Sequence, residues 1–305
     1  MTDRLLLGTW PTPLEPLPRL AAHLGTEPDA LLLKRDDLTG LGAGGNKVRK
    51  LEPLLAEATA QGADLLVTSG AAQSNHARIT AAAAARLGLD CVLVLWGDPP
   101  AEARGNLLLD ALAGAELVWV GDGDTEAVVA QVAAERRTAG RSPYVVPYGG
   151  SSPLSATGYV RCAEELQAQV PDLDLVVTAV GSGGTMAGLV AGLGADRVLG
   201  VDTGAVPDAA AAVEGLLAGM GVAHGALRID GDRVGDGYST VGDEVRSALR
   251  LVARTEGVFL DPIYTGRAAA GLVAALNGPD GVPGRRVVLL HSGGLPGLLA
   301  RDDVL

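Results

Sequence analysis

Aromatic side chains are scarce in this 305-residue chain, where one Phe, three Trp and five Tyr make up 3% of the residues. A broad aromatic recognition surface is therefore excluded, and the core must be built from Leu, Val and Ala, as layered α/β proteins commonly do. Cysteine is nearly absent. Cys91 lies in an apolar strand-like run and Cys162 in a helix-like run, far apart and without metal-ligand spacing, so no metal site is expected. A reducing, cytoplasmic compartment fits that usage. No block of consecutive basic residues occurs and the net charge is -12, which argues against nucleic acid or an anionic membrane surface as partner. No stretch reaches the roughly 18 uninterrupted apolar residues of a membrane-crossing helix. The start, MTDRLLLGTWPTP, also lacks a basic segment followed by a long apolar one, so neither secretion nor membrane insertion is expected.

Lysine is the most telling shortage. Of 24 Lys and Arg residues only Lys34, Lys47 and Lys50 are lysine. Arginine evidently serves for ordinary surface charge. A lysine kept in such a chain points to a place that needs a primary amine able to lose its proton, which guanidinium cannot do. The plain alternative is three leftover solvated lysines.

What is present is an alternation. Short apolar runs at Leu31–Lys34, Leu65–Thr68, Cys91–Leu95, Leu117–Val120, Leu175–Val180, Val198–Val201 and Val287–Leu290 read as buried strands. Between them, Ala77–Leu87, Asn106–Leu112, Glu126–Thr138, Ser155–Gln169 and Thr240–Arg254 read as helices. Strand alternating with helix predicts an α/β protein with mainly parallel sheets covered on both faces. Ligands of such sheets bind at the carboxyl ends of the strands, where loops lead into helix N-termini with unpaired N–H groups. The turn-rich Tyr148–Pro153 is a plausible crossing between two lobes.

Five loops carry candidate chemistry. In Gly44-Gly45-Asn46-Lys47 the lysine falls just inside a helix start, where the positive end of the dipole disfavours the charged amine. By itself this pattern reads first as an exposed first-turn lysine. Thr68 to His76 ends a strand and opens an alanine-rich helix. Capping explains one of Ser74 or Asn75, but consecutive Gln-Ser-Asn-His exceeds that need, and free N–H groups there suit a carboxylate. His76 alone would read as structural and enters only as part of this loop. Gly181-Ser182-Gly183-Gly184-Thr185 follows an apolar strand and precedes a small-residue helix, as a phosphate cradle does. It matches neither GxGxxG with an acidic ribose ligand nor GxxxxGK[ST], which lowers the nucleotide alternative. Asp261 to Arg267 and Leu290 to Gly294 are the other two loops.

In order, GGNKVRKLE, SGAAQSNHAR, GSGGTMAGL, DPIYTGRAAAGL and HSGGLPGLL resemble the D-cysteine desulfhydrase and 1-aminocyclopropane-1-carboxylate deaminase family, a tryptophan-synthase-β-type group of pyridoxal 5'-phosphate enzymes. The resemblance runs from KRDDL to the final glycines. It implies two doubly wound open-sheet lobes with the cofactor in the cleft between them: a large one from residues 1–47 and 159–305, and a small one from 48–158. Lys47 would carry the cofactor as a Schiff base, Asn75 would hydrogen-bond its phenolic oxygen, and Gly181 to Thr185 would bind its phosphate. Ser74, with the amides of Asn75 and His76, would hold the substrate carboxylate. Tyr264 and Tyr238 would lie near cofactor and substrate, and Ser292 would face the pyridine nitrogen. A neutral hydroxyl there weakens the ring as an electron sink and favours early loss of a β-substituent.

His76, Thr265 and Ser292 resemble the desulfhydrase side of the family, since its deaminases have SNQ, YEG and HLGG at those places. The implied reaction is α,β-elimination from a small amino acid, D-cysteine first, giving pyruvate, sulfide and ammonia. Cyclopropane deamination, release of sulfite from L-cysteate, or another β-substituted substrate are the enzymatic alternatives. A phosphorylated-ligand binder without turnover is the alternative of another class. Lys47 is the first choice of base and Tyr264 the second. A homodimer follows from the resemblance alone. Pro53 is expected to kink or shorten the helix after Lys47, and Val201–Gly225 matches the family poorly.

Overall fold

A computed structural model describes residues 5–278 and 286–304. The strands among them are β1 (Leu14–Pro16), β2 (Leu31–Lys34), β3 (Leu65–Gly70), β4 (Asp90–Leu95), β5 (Glu116–Trp119), β6 (Pro143–Val145), β7 (Leu173–Val180), β8 (Val198–Asp202), β9 (Arg228–Asp230) and β10 (Arg286–Leu290). They form a six-stranded sheet of order β1-β2-β10-β7-β8-β9 and a four-stranded sheet of order β5-β4-β3-β6. Every pairing is parallel except β1 with β2.

The alternation of side chains assigns the faces. In the large sheet Leu31, Leu33, Leu175, Val177, Val287 and Leu289 join the core on one side. Leu32, Val176, Val288 and Leu290 join the core on the other, which also receives helices Pro153–Gln169 and Gly184–Leu193. Both faces are dry, so these strands read as continuous apolar runs. The small sheet is likewise covered twice: Leu66, Cys91, Leu93 and Leu95 face one cluster, and Leu65, Val67, Val92 and Val94 face helix Thr125–Thr138. β1, β6 and β9 have three residues each, too short for a period to show in sequence.

Strand order places the ligand site. In the large sheet the chain moves outward from β7 to β8 and β9, then returns to β10 on the other side of β7. The small sheet does the same from β3, with β4 and β5 on one side and β6 on the other. Each reversal opens a crevice at the carboxyl ends of the strands it separates.

Pro53 differs from expectation. Helix Lys47–Ala60 runs through it. The Arg49 carbonyl, deprived of its i+4 donor, is met instead by Gly158 of helix Pro153–Gln169, where a Cβ would lie 2.1 Å from that oxygen. The close packing of the two helices at a glycine supports the proline-containing turn.

Candidate active site

Residues following β3, β4, β7, β8 and β10 line one cleft of about 710 Å³, counting the part open to solvent. Lys47 is the first residue of its helix, and its Nζ donates to the Gly149 carbonyl at 3.2 Å. Burial lowers its pKa to about 8, although the neighbouring Lys50 works the other way. A cofactor-depleted protein should therefore capture pyridoxal phosphate faster as pH rises, levelling off above about pH 8, because the protonated amine has no lone pair. Growth of the visible absorption band against pH measures this. A solvent-exposed amine would still be gaining at pH 10.

Lys50 lies one turn further on and was not anticipated as a site residue. Its buried Nζ donates to the same Gly149 carbonyl at 2.5 Å and to Ser151 Oγ at 2.6 Å. A Cβ on Gly184 would stand 3.1 Å from that nitrogen, so the amine lies directly beneath the glycine loop. Burial and the Lys47 charge push its pKa well down. The Lys47 charge thus disfavours that of Lys50, and an anion at the loop would relieve that. The third lysine is structural: Lys34 Nζ donates to Thr12 O, Glu165 and Gln169 in the interior.

The loop after β3 caps the helix that follows it. Ser74 is the N-cap of helix Asn75–Leu87, accepting from Ala77 N at 3.1 Å, and it lines the cleft with a hydroxyl that donates to no described residue. Thr68 Oγ1 donates to Val146 O, so it must accept from His76 Nε2 at 2.8 Å. His76 is thereby protonated at Nε2. Burial, then the charges of Lys47 and Lys50, hold its pKa well down, and Nδ1 is left as a buried acceptor without a partner among the described residues.

Gly183 takes φ +85° at the start of helix Gly184–Leu193 and offers no side-chain cap; Gly184 N donates to Ser151 Oγ at 3.3 Å, and Gly184 and Thr185 of the first turn line the cleft. Ser182 Oγ is 2.7 Å from Ser151 Oγ, and Thr185 Oγ1 accepts from Asn46 Nδ2 at 3.0 Å. On the facing wall the Tyr264 and Tyr238 hydroxyls are 2.7 Å apart, with rings edge to face. Burial, then Tyr238, drives the Tyr264 pKa well up, so its phenol keeps its proton. Ser292 lines the cleft at the end of the β10 loop, and its hydroxyl bonds no described residue.

Thr265 departs from expectation. It is completely buried outside the cleft, its hydroxyl donating to Asp261 Oδ1 at 2.7 Å and accepting from Asp261 N. Asp261 also accepts from the backbone N–H groups of Ile263, Tyr264 and Thr265. Thr265 thus shapes the turn that presents Tyr264. Sequence reading also missed Asn46, Trp96, Tyr148 and Gly149 in the lining. The aromatics carried a signal: of nine in the chain, Trp96, Tyr148, Tyr238 and Tyr264 line this one cleft.

The donors fit a phosphorylated aldehyde: a glycine-loop helix start, a buried amine beneath it, and a second amine of lowered pKa in the same cleft. No group of side chains among the described residues is arranged to hold a metal ion. No described helix is long and apolar enough to cross a membrane. Residues 5–293 match the family of pyridoxal-phosphate-dependent enzymes, and the chain belongs to it. A D-cysteine desulfhydrase of Klebsiella pneumoniae is 40% identical over 97% of this chain and 95% of that protein. A 1-aminocyclopropane-1-carboxylate deaminase of Burkholderia vietnamiensis is 38% identical over 96% of this chain and 95% of that protein. The crystal structure of an ACC deaminase homologue superimposes with TM-score 0.90 at 38% identity, covering 99% and 96% of the two chains. The chain is a pyridoxal-phosphate-dependent lyase of the type these relatives represent.

Proposed function

We propose that this lyase removes the β-substituent of a small amino acid, with D-cysteine and water giving pyruvate, hydrogen sulfide and ammonia. The observation that carries the reading is the contrast of two proton carriers in one cleft: Lys47 with its pKa lowered to about 8, and Tyr264 with its phenol held protonated. Widely separated proton affinities assign base and acid.

Lys47 would hold the cofactor's aldehyde carbon, the glycine loop with Lys50 its phosphate, and Ser292 would face its pyridine nitrogen. Bound there, pyridoxal phosphate supplies an electron sink that loosens the substrate's α-proton and β-substituent. The substrate carboxylate is received by the Ser74 hydroxyl and the N–H groups of Asn75 and His76. Lys47, free once the substrate is in place, takes the α-proton, and the departing sulfur takes a proton from Tyr264. The Tyr238 hydroxyl holds Tyr264 in position. The D-cysteine choice rests on Ser292 and on the desulfhydrase relative, 40% identical. The same reading takes residues 48–158, which include β3 to β6, as the smaller lobe.

The test is a substrate panel on the pyridoxal-phosphate-loaded protein: D-cysteine, L-cysteine, L-cysteate and 1-aminocyclopropane-1-carboxylate, with sulfide, sulfite and keto acid assayed for each. Sulfide and pyruvate from D-cysteine alone are expected. A four-carbon keto acid from the cyclopropane substrate, or sulfite from cysteate, in the absence of sulfide would reject the D-cysteine assignment.

A further inference from the structure

Arg78 is 1% exposed and lies one helical turn after Asn75, yet the reaction above gives it nothing to do. Its guanidinium spans three loops. One Nη donates to the carbonyls of Gly42 and Gly44 in the turn before Lys47. Nε donates to Asn106 Oδ1 at 2.9 Å, and Nη2 to Asn75 Oδ1 at 3.3 Å. Asn106, also completely buried, donates from Nδ2 to Gln73 O at 2.8 Å and to Asn75 Oδ1 at 3.0 Å.

The chemistry of these groups leaves one orientation. Guanidinium has donors and no acceptor. The Asn106 atom it meets is therefore the oxygen, which makes the opposite atom the NH2 group. That group is a donor, so the Asn75 atom it meets must be the oxygen as well, and the direct Arg78 contact requires the same. Asn75 consequently turns its oxygen inward and presents Nδ2, which donates to no described residue, to the cleft it lines.

We infer that Arg78, acting through Asn106, is a positioning device that fixes the rotamer of the Asn75 amide so that the cleft receives a donor and never an acceptor. The inference rests on the functional reading above, in which Asn75 meets the cofactor's phenolic oxygen. A donor there stabilises that oxygen in its anionic form, whereas an inverted amide would oppose two oxygens and favour the protonated form. Asn by itself has no such preference, because its two ends are nearly the same size; the buried arginine supplies it.

Asn106→Asp is the discriminating variant. The new carboxylate still accepts from Arg78 Nε but cannot donate, so against the longer remaining contact from Arg78 Nη2, at 3.3 Å, it should draw the Asn75 NH2 inward and turn the oxygen to the cleft. The loaded variant should shift absorbance at neutral pH from the visible band of the anionic cofactor to the near-ultraviolet band of the neutral one. The band ratio should change on the order of tenfold. Cofactor dissociation, measured by equilibrium dialysis, should weaken by a similar factor. Asn75→Ala should lower the ratio by itself, and adding Asn106→Asp to it should change little more, since both act through one amide. Arg78→Lys, which keeps the charge but not the fork, should shift the bands in the same direction and serves if Asn106→Asp does not fold. A lowered melting temperature with an unchanged band ratio would reduce Arg78 and Asn106 to structural roles and overturn the inference alone. A wild-type protein that binds no pyridoxal phosphate overturns the functional reading and the inference with it.

Discussion

Lys47→Ala is expected to abolish turnover, by on the order of 10⁴-fold or more, because the residue is asked to be both covalent anchor and base. The visible band should disappear in the same variant. Lys47→Arg should be no better, since guanidinium neither attacks a carbonyl nor surrenders its proton near neutral pH. Steady-state assay with D-cysteine and an absorption scan of the loaded protein measure both effects. Activity within tenfold of wild type in Lys47→Ala would remove Lys47 from the mechanism. Lys50 cannot readily substitute for it, because its amine is already committed to Gly149 O and Ser151 Oγ beneath the glycine loop.

Asp36→Asn should produce the largest loss of stability, up to about 3–5 kcal/mol, by removing the fully buried carboxylate that Arg49 faces and leaving it the half-buried Glu165 alone among the described carboxylates. Asp36 is fully buried and accepts from Thr12 Oγ1, from Arg49 Nε and Nη2, and from Tyr159 OH at 2.6 Å. Arg49 also pairs with Glu165 and lies over the Trp10 ring at 4.1 Å. The network fastens the helix that starts at Lys47 to the large sheet. Burial opposes the Asp36 charge, but Arg49 outweighs it and the carboxyl pKa is held below its ordinary value. The sign follows: a depressed folded pKa contributes stability that is present above the ordinary carboxylate range and lost as pH falls through it. Urea unfolding at several pH values should show Asp36→Asn destabilised at pH 7 and the gap to wild type narrowing in acid. An equal gap at all pH values would reject the ion pair as its cause.

Much of the fold was readable along the chain because β2, β3, β4, β7, β8 and β10 are buried on both faces and leave uninterrupted apolar runs. Strands β1, β6 and β9 left none, being three residues long. Lys47, Ser74, Asn75 and the glycine loop were legible because each occupies a strand-to-helix junction with distinctive composition. Thr265 was misread as a substrate contact because its motif neighbours Tyr264, while its hydroxyl is spent on Asp261 inside the turn. Pro53 was misread because a local rule about helices cannot see Gly158, 105 positions away, receiving the freed carbonyl.

Local order in the chain was enough to establish an α/β protein, and to pick out a glycine loop at a strand-to-helix junction and a lysine at a helix start, since these depend on periodicity, junctions and residue chemistry within a few positions. The tertiary structure alone decided that Lys50 lies under the glycine loop, that Lys47 has a lowered and Tyr264 a raised proton affinity, that His76 is a neutral acceptor, and which way the Asn75 amide points. Each of those depends on desolvation and on partners distant in sequence, brought together by the reversal of strand order in two sheets, and no spacing along the chain encodes them.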